Sequence, residues 1–280
     1  MASSSYATPL RTRLRVLRIL HPFPSLLVTA LTAALAAYAA DADDRWSLAA
    51  WLGVTMLCYQ FAIGITNDIS DIDLDREHKP WKPLASGAIE RRTAAVLAAG
   101  FLFVGLLISS PLPVLAWLIG ILGVFCGLVY NAALKRTVLS WLPYAIAIPL
   151  IPVWAFVAAG EWDAMLWWVF PLGILVGLSL HFANQAPDVD AERATTHGAA
   201  HRMGARTAIR LAFALFGLAC SLAVIVVLVH RPGMALLMAL AAFATAIAAL
   251  RAPRVLGRDG MFVVLAAGSA LLGLLFVVAI

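Results

Sequence analysis

The sequence predicts an all-α protein that crosses a membrane many times. Of its 280 residues, 63% are hydrophobic and only 12% are charged, and the mean hydropathy is +0.93. A soluble globular domain carries about 25% charged residues. Apolar runs of about 20 residues, long enough to span a bilayer as a helix, recur along the whole chain. Because no polar stretch could form a separate soluble domain, we expect one domain over residues 1–280.

The apolar runs predict nine transmembrane helices, since only helices and closed barrels satisfy their backbone groups in lipid. The three cysteines fall inside these runs and are expected to be core residues. The predicted spans are 22–40, 46–66, 93–110, 112–131, 140–159, 164–185, 207–229, 233–250 and 260–280.

The loops between the spans alternate in charge. Every Lys and Arg except Arg45 and Arg231 falls on one side of the predicted membrane. The positive-inside rule places that side and the N-terminus in the cytoplasm and the C-terminus outside. The net charge of +5 therefore reflects topology and not nucleic-acid binding. We expect an integral protein of a bacterial plasma membrane.

Residues 1–21 form a cytoplasmic lead-in to the first span. Leucines at 10, 14 and 17 share one helical face and arginines at 11, 15 and 18 another, as in a helix that lies on an anionic leaflet. The segment 37–39 also resembles a signal-peptide cleavage site. A retained first span is favoured, because the charged lead-in is long and the apolar run is long enough to cross the membrane.

The densest run of charge, residues 67–79, follows the second span directly. In a helix, Asn67, Asp71 and Asp75 would lie within an arc of about 80° on one face. Asp68 and Asp73 would point elsewhere. Two carboxylates and an amide form a hard oxygen site that suits Mg²⁺ bridged to a phosphate. The alternative is an acidic loop in contact with solvent.

A second polar cluster ends the sixth span. Asn184, Asp188 and Glu192 repeat the spacing of the first cluster, and both clusters are followed at once by Arg. Pro187 must begin or kink a helix at this point. Two such clusters in matching positions indicate a clamp of two cations around a diphosphate.

Three further side chains are candidates for binding that diphosphate. Tyr130 lies at the end of the fourth span and Lys135 just after it, and they could reach the diphosphate by hydroxyl and by charge. Arg202 is a possible phosphate ligand, with membrane topology as the alternative reason for its presence. Charge neutralisation makes diphosphate a better leaving group. The apolar bundle would hold a long tail, and its aromatic faces could stabilise an allylic cation from which water is excluded.

The motifs resemble those of the UbiA superfamily of intramembrane prenyltransferases. Asn67-Asp68-x2-Asp71-x3-Asp75 matches the first motif of that superfamily in full. Residues 82–87, Lys-Pro-Leu-Ala-Ser-Gly, are similar to its Arg-Pro-Leu/Ile-Pro-Ser-Gly segment, and the spacing over 67–89 is most similar to the chlorophyll-synthase branch.

Three more segments carry the resemblance. Tyr130-x4-Lys135 resembles a Tyr/Lys element, and Arg18-x3-Pro22 resembles the start of the first helix. The second motif, Asn184-x3-Asp188-x3-Glu192, has Glu in place of the usual last Asp.

The resemblance implies a nine-helix bundle around a central cavity that opens to the cytoplasm. It also implies Mg²⁺-dependent transfer of a prenyl group from an isoprenyl diphosphate to a hydrophobic, often aromatic, acceptor. The implied catalytic residues are Asp71, Asp75 and Asp188. The implied metal ligands are Asn67, Asp71, Asp75, Asn184, Asp188 and Glu192, and the implied substrate-binding residues are Lys82, Tyr130, Lys135, Arg18 and Arg202.

Two other functions stay open at this point. In a terpene cyclase of the same fold, a double bond of the substrate itself would capture the cation, and the altered second motif makes this a real alternative. A cation transporter would carry its acids near mid-membrane, whereas these acids lie at the ends of spans. Nothing between the motifs identifies the acceptor.

Overall fold

The computed structural model describes residues 16–192 and 196–280, and these residues form an all-helical bundle. The amphipathic lead-in lies outside the described residues up to position 15, and its end forms a 3-10 turn, Leu17–Leu20. The helices are α1 Pro22–Ala39, α2 Arg45–Ser70, α3 Ile72–His78, α4 Arg91–Ser109, α5 Val114–Val129, α6 Leu142–Ala159, α7 Val169–Gln185, α8 Ala199–Met203, α9 Ala205–His230, α10 Pro232–Leu256 and α11 Gly260–Ala279. A π-helical turn, Tyr130–Leu134, continues α5, and a 3-10 turn, Ala164–Trp168, precedes α7.

Nine helices within the described ranges are long and apolar enough to cross a membrane, as predicted. Their ends agree with the predicted spans to within a few residues. The second and eighth spans, α2 and α10, differ most from their predicted ends, since they continue to Ser70 and Leu256. In both, helical backbone extends past the apolar run into polar sequence, where hydropathy no longer marks it.

Helices that follow one another in sequence pack side by side around the bundle. α1 contacts both α6 and α11, so the first helix closes the ring against the last. α6 and α7 approach very closely: a Cβ on Gly173 would lie 2.7 Å from the Cα of Pro149. Small residues at helix contacts let backbones approach in this way in membrane proteins.

A central cavity of about 350 Å³ lies inside this ring. Most of its lining is aliphatic and aromatic and comes from seven of the long helices. Tyr130 and Tyr144 line it near the end where α2, α5 and α7 finish, and Trp154 lies further along α6. The expected central cavity is therefore present, and its opening to the cytoplasm stays a prediction.

Candidate active site

The first motif, residues 67–75, does not lie on one continuous helix. α2 ends at Ser70, the chain turns at Asp71, and α3 begins at Ile72. Helical backbone spacing nevertheless persists across the turn. The amide of Asp71 donates to the carbonyl of Asn67 at 3.1 Å, and the amide of Asp75 donates to the carbonyl of Asp71 at 2.7 Å. The three residues therefore keep the predicted four-residue spacing.

The prediction that Asp68 points away from this cluster is wrong. Its side chain is buried, and its Oδ1 accepts a hydrogen bond from the Nζ of Lys82 at 2.9 Å. The same ammonium lies 2.7 Å from Oδ2 of Asp75. His21 Nε2 lies 3.0 Å from Asp68 Oδ1 on another side. Helical periodicity placed Asp68 on a different face, but the loop after α3 folds back and carries Lys82 to that face.

Asp73 behaves as predicted. Its side chain is 90% exposed, and its ion pair is with the exposed Arg76 at 3.2 Å. It is therefore a solvated acid within the same run of charge.

Burial and charge oppose each other at Lys82 and Asp75. Burial lowers the pKa of Lys82, but the carboxylates of Asp68 and Asp75 outweigh it and hold that pKa above its ordinary value. Burial raises the pKa of Asp75, and Lys82 lowers it. The nearby carboxylates of Asp71 and Asp68 raise it again, so the pKa of Asp75 is above its ordinary value. Asp75 is thus a buried carboxylate with two other acids nearby, and a further cation at this place would stabilise its charged form.

Lys135 reaches Asp71 because of the π-turn that ends the fourth span. The amide of Lys135 donates to the carbonyl of Tyr130 five residues earlier, at 2.8 Å. Its ammonium donates to Oδ2 of Asp71. Arg136 lies 3.7 Å from the other carboxylate oxygen, Oδ1, which is buried and has no hydrogen-bond partner within the described residues. Asp71 therefore keeps acceptor capacity at Oδ1.

Tyr130 lies beneath the acids in a buried polar chain. Its hydroxyl accepts a hydrogen bond from Nε2 of Gln185 at 2.6 Å, and its ring meets that of Tyr144 at 5.4 Å. The hydroxyl of Tyr144 accepts from Nδ2 of Asn184 at 3.2 Å. Gln185 and Tyr144 were not predicted, although Gln185 is a polar residue at the end of an apolar span, which is a signal for a cavity-facing side chain.

The second motif, residues 184–192, continues past the end of α7 as turns. α7 ends at Gln185, the predicted end of the sixth span. Pro187 lies in the turns that follow, so the prediction that it begins or kinks a helix is wrong. Asp188 accepts from Lys79 Nζ at 2.7 Å through Oδ2 and from Arg258 Nη2 at 3.3 Å through Oδ1. Glu192 Oε2 lies 3.6 Å from Nε2 of His201. Lys79 and Arg258 were read from the sequence only as loop charges, yet they are the cationic partners of Asp188.

Two predicted phosphate ligands lie outside these clusters. Arg18 is exposed in the turn before α1, and Arg202 is exposed on the short helix α8. In the described part of the chain no ion pair joins either guanidinium to the acids. Their roles stay predictions. Arg193, which directly follows the second motif, is outside the described residues.

The donor set of the first motif fits Mg²⁺ bridged to a phosphate. Across residues 16–192 and 196–280, no three His, Cys or acidic side chains converge into a metal cage. Mg²⁺ is usually held by one or two carboxylates together with water and substrate phosphates, so it needs no such cage. Asn67, Asp71 and Asp75 supply two carboxylates and an amide, and Asp71 Oδ1 is a buried oxygen with acceptor capacity to spare.

The fold and site define a helical membrane protein with two acidic motifs and several lysines at one end of an apolar cavity. The chain belongs to the UbiA prenyltransferase family, whose profile matches residues 26–260. The superfamily resemblance seen in the sequence is thereby confirmed.

Three relatives indicate the range of this family. The chain is 38% identical to a digeranylgeranylglyceryl phosphate synthase of Metallosphaera sedula over 71 residues, and this segment covers 25% of each of the two chains. It is 29% identical to a 4-hydroxybenzoate octaprenyltransferase of Burkholderia ambifaria, with 56% of this chain and 54% of the relative aligned. It is 28% identical to a digeranylgeranylglyceryl phosphate synthase of Methanoregula boonei, over 68% and 70% of the two chains. The chain thus spans a quarter to about 70% of the length of these relatives.

Solved structures show the same fold at low sequence identity. A UbiA homologue from Archaeoglobus fulgidus, bound to DMAPP and Mg²⁺, has a TM-score of 0.70 and 17% identity, over 92% of this chain and 98% of that one. A UbiA homologue from Aeropyrum pernix K1 in its apo form also has a TM-score of 0.70, with 23% identity over 93% and 98% of the chains.

Proposed function

We propose that this protein transfers a prenyl group from an isoprenyl diphosphate to an acceptor in a reaction that requires Mg²⁺. The observation that carries the proposal is the 2.7 Å ion pair between Lys79 and Asp188. It joins the segment that directly follows the first acidic motif to the second motif, at one end of an apolar cavity of about 350 Å³. Such a site has a charged part that suits a diphosphate and an apolar part that suits a prenyl tail.

The two motifs would hold the cations that accompany the diphosphate. Oxygen ligands on the first motif would come from Asn67, Asp71 and Asp75. Those on the second motif would come from Asn184, Asp188 and Glu192. Bound Mg²⁺ would neutralise the diphosphate and so make it a better leaving group. The A. fulgidus homologue of the same fold binds DMAPP and Mg²⁺, which supports the choice of Mg²⁺ and an isoprenyl diphosphate.

Three lysines supply further positive charge for the diphosphate. Lys79, Lys82 and Lys135 each donate to an acid of the two motifs. Each ammonium has three donors, so it can contact a phosphate oxygen while it stays close to its carboxylate. Lys135 lies next to the end of α5, where Tyr130 and the cavity begin, and is placed to hold the diphosphate above the tail.

The cavity would hold the prenyl tail and protect the reacting carbon from water. Tyr130 and Tyr144 pack edge to face, with ring centroids 5.4 Å apart, on the lining of the cavity near the acids. Aromatic faces attract cations, so these rings are placed to stabilise an allylic cation. Water exclusion prevents hydrolysis of such a cation. The C–O bond to the diphosphate would break and the diphosphate would leave as an anion. The acceptor would then enter the same space, bond to the cation and release a proton.

The names of the relatives suggest two classes of acceptor. The Burkholderia relative is named for an aromatic acid, and the archaeal relatives are named for a glyceryl phosphate product. We expect an aromatic acceptor, because apolar and aromatic side chains dominate the lining of the cavity. We also expect the acid-bearing end to face the cytoplasm of a bacterial cell, since nearly all Lys and Arg residues belong to that side.

A terpene cyclase is the second candidate, and Glu192 is the observation that favours it. This acid replaces the usual Asp of the motif and lies 3.6 Å from the buried His201. A second motif altered in this way could serve a reaction in which the substrate's own double bond captures the cation.

One assay separates these functions. Membranes that contain the protein are incubated with labelled geranyl, farnesyl or geranylgeranyl diphosphate and Mg²⁺, first alone and then with aromatic or glyceryl phosphate acceptors. EDTA and Asp71→Ala serve as controls. A prenylated acceptor that needs Mg²⁺ and Asp71 supports the proposal, whereas a cyclic hydrocarbon or alcohol formed without acceptor supports the cyclase. If every donor stays intact under all conditions, the proposal is wrong.

A further inference from the structure

Asn131 makes an unusual set of hydrogen bonds in the π-turn that ends the fourth span. It is buried, and its Nδ2 lies 2.8 Å from the backbone carbonyl of Ile63 and 3.0 Å from the hydroxyl of Thr66. Its Oδ1 lies 3.2 Å from Nδ2 of Asn67. One side chain of the π-turn thus holds the end of α2, where the first motif begins.

These contacts fix which way the amide of Asn131 points. The backbone carbonyl of Ile63 can only accept a hydrogen bond, so the atom that faces it must be the amide nitrogen. Thr66 agrees with this assignment. Its hydroxyl donates its single hydrogen to the carbonyl of Ala62 or Ile63, both 2.9 Å away. It therefore accepts a hydrogen bond from Asn131. The orientation of an amide is assigned in this way, from its hydrogen-bond network.

The orientation of Asn131 in turn determines that of Asn67. Because Oδ1 of Asn131 is an acceptor, Asn67 must present its NH₂ group to it. The carbonyl oxygen of Asn67 is then the atom that remains for a cation. A cation binds an amide through its oxygen and is repelled by its NH₂ group, so a reversed Asn67 would oppose metal binding.

We infer that Asn131 is a positioning residue that fixes the amide of Asn67 with its oxygen presented to a metal–diphosphate complex. The inference rests on the proposed function, since it concerns the same site. Partners that orient a metal ligand commonly change metal affinity by about 10–100-fold when they are removed. Asn131 acts here through Asn67 and contributes no ligand of its own.

The test measures metal binding and not turnover. Mn²⁺ is titrated into purified protein with geranyl S-thiolodiphosphate, an analogue that ionises poorly, and free Mn²⁺ is followed by electron paramagnetic resonance. Asn131→Leu, of similar size but without an acceptor, should weaken Mn²⁺ binding about tenfold or more. Thr66→Val is the matched control. It removes one partner of Asn131 but keeps the bond to Ile63 that sets the orientation, and should stay within about twofold of the unaltered protein.

A double-mutant cycle distinguishes positioning from a general structural role. In Asn67→Asp both terminal atoms are oxygens, so no amide orientation remains to be fixed. Adding Asn131→Leu to that variant should then change Mn²⁺ affinity by less than about twofold. Asn131→Ala replaces the leucine variant if the latter is not monodisperse in detergent.

Each other outcome overturns the inference. Unchanged Mn²⁺ affinity in a folded Asn131→Leu protein would show that Asn131 does not position Asn67. An equal loss in both backgrounds would assign Asn131 a structural role only. If the unaltered protein shows no Mn²⁺ binding that depends on the diphosphate analogue, the proposed function fails together with the inference.

Discussion

Lys79 donates a hydrogen bond from Nζ to Oδ2 of Asp188 at 2.7 Å, although 109 positions separate the two residues. Each side chain is 23% exposed, so the pair is partly shielded from solvent. Arg258 contacts the other carboxylate oxygen of Asp188 at 3.3 Å. Side chains from three separate loops therefore meet at one acid of the second motif.

Replacement of Lys79 should weaken diphosphate binding more than it weakens the fold. A charge-assisted hydrogen bond is worth about 1.5–3 kcal/mol, so Lys79→Met should raise the KM for the isoprenyl diphosphate roughly tenfold or more. A partly exposed ion pair contributes about 1 kcal/mol or less to stability, so the midpoint of thermal unfolding should change little. Steady-state kinetics in membranes checks the first expectation. Arg76→Met is the control, because among the described residues Arg76 pairs only with the solvated Asp73, and an equal rise in KM there would contradict a specific role for Lys79.

Loss of charge should reduce kcat/KM strongly at Asp71 and hardly at all at Asp73, although both acids belong to the same run of charge. Asp71→Asn should reduce kcat/KM at least about a thousandfold, which corresponds to about 4 kcal/mol of transition-state stabilisation. Asp71 is 5% exposed and is bonded to Lys135. Asp73→Asn should leave kcat/KM within about twofold, because its side chain is 90% exposed. Elution as a single species in detergent would show that each variant is folded, and a folded, fully active Asp71→Asn would refute its assignment.

Lys82 should matter for stability as well as for binding. Loss of one partner of a buried ion pair costs about 3–5 kcal/mol, because the remaining charge is left unpaired. Lys82 serves two buried carboxylates, Asp68 and Asp75. Asp68 would keep His21 at 3.0 Å, so Asp75 is the acid that loses its cation within the described residues. Lys82→Met should therefore lower the thermal unfolding temperature markedly, while Lys82→Arg should restore most of it by keeping the charge. Equal unfolding temperatures for the two variants would mean that the charge is not what stabilises this cluster.

The close approach of α6 and α7 should tolerate no added methyl group at Gly177. A Cβ there would lie 2.8 Å from the backbone carbon of Tyr144, which cannot move without moving α6. Overpacking of this kind costs about 1–3 kcal/mol, so Gly177→Ala should lower stability in detergent. Gly217→Ala is the control, since a Cβ there would meet no described atom within 4 Å apart from its chain neighbours and the backbone of its own helix turn. A Gly177→Ala protein as stable as this control would show that the two helices are more loosely packed.

The spans could be predicted from sequence because hydropathy and length are local properties. Nine apolar runs became nine long helices in the described residues, and the spacing of Asn67, Asp71 and Asp75 was retained. The family itself followed from the motifs at residues 67–75 and 82–87.

The errors arose where distant segments meet. Asp68 was assigned to the wrong surroundings, because a helical face taken alone does not reveal that Lys82 returns to cover it. Asn131 was not identified, since the π-turn adds a residue to the helix and rotates the side chains that follow. The partners of Asp188 come from loops far away in sequence, and no local pattern indicates them.

The charges of the two motifs would be balanced at different moments during synthesis of the chain. Asp68 and Asp75 find Lys82 only 14 and 7 residues further along the chain, so both gain a cationic partner soon after the second span is made, whereas Asp71 waits for Lys135, 64 residues later. Asp188 finds Lys79 already made when its own loop is synthesised, and its second cation, Arg258, follows only after the eighth span, α10. Until then its loop relies on Lys79 alone. A nascent chain that stalls between the sixth and eighth spans would therefore hold Asp188 by one cation, where the complete chain uses two.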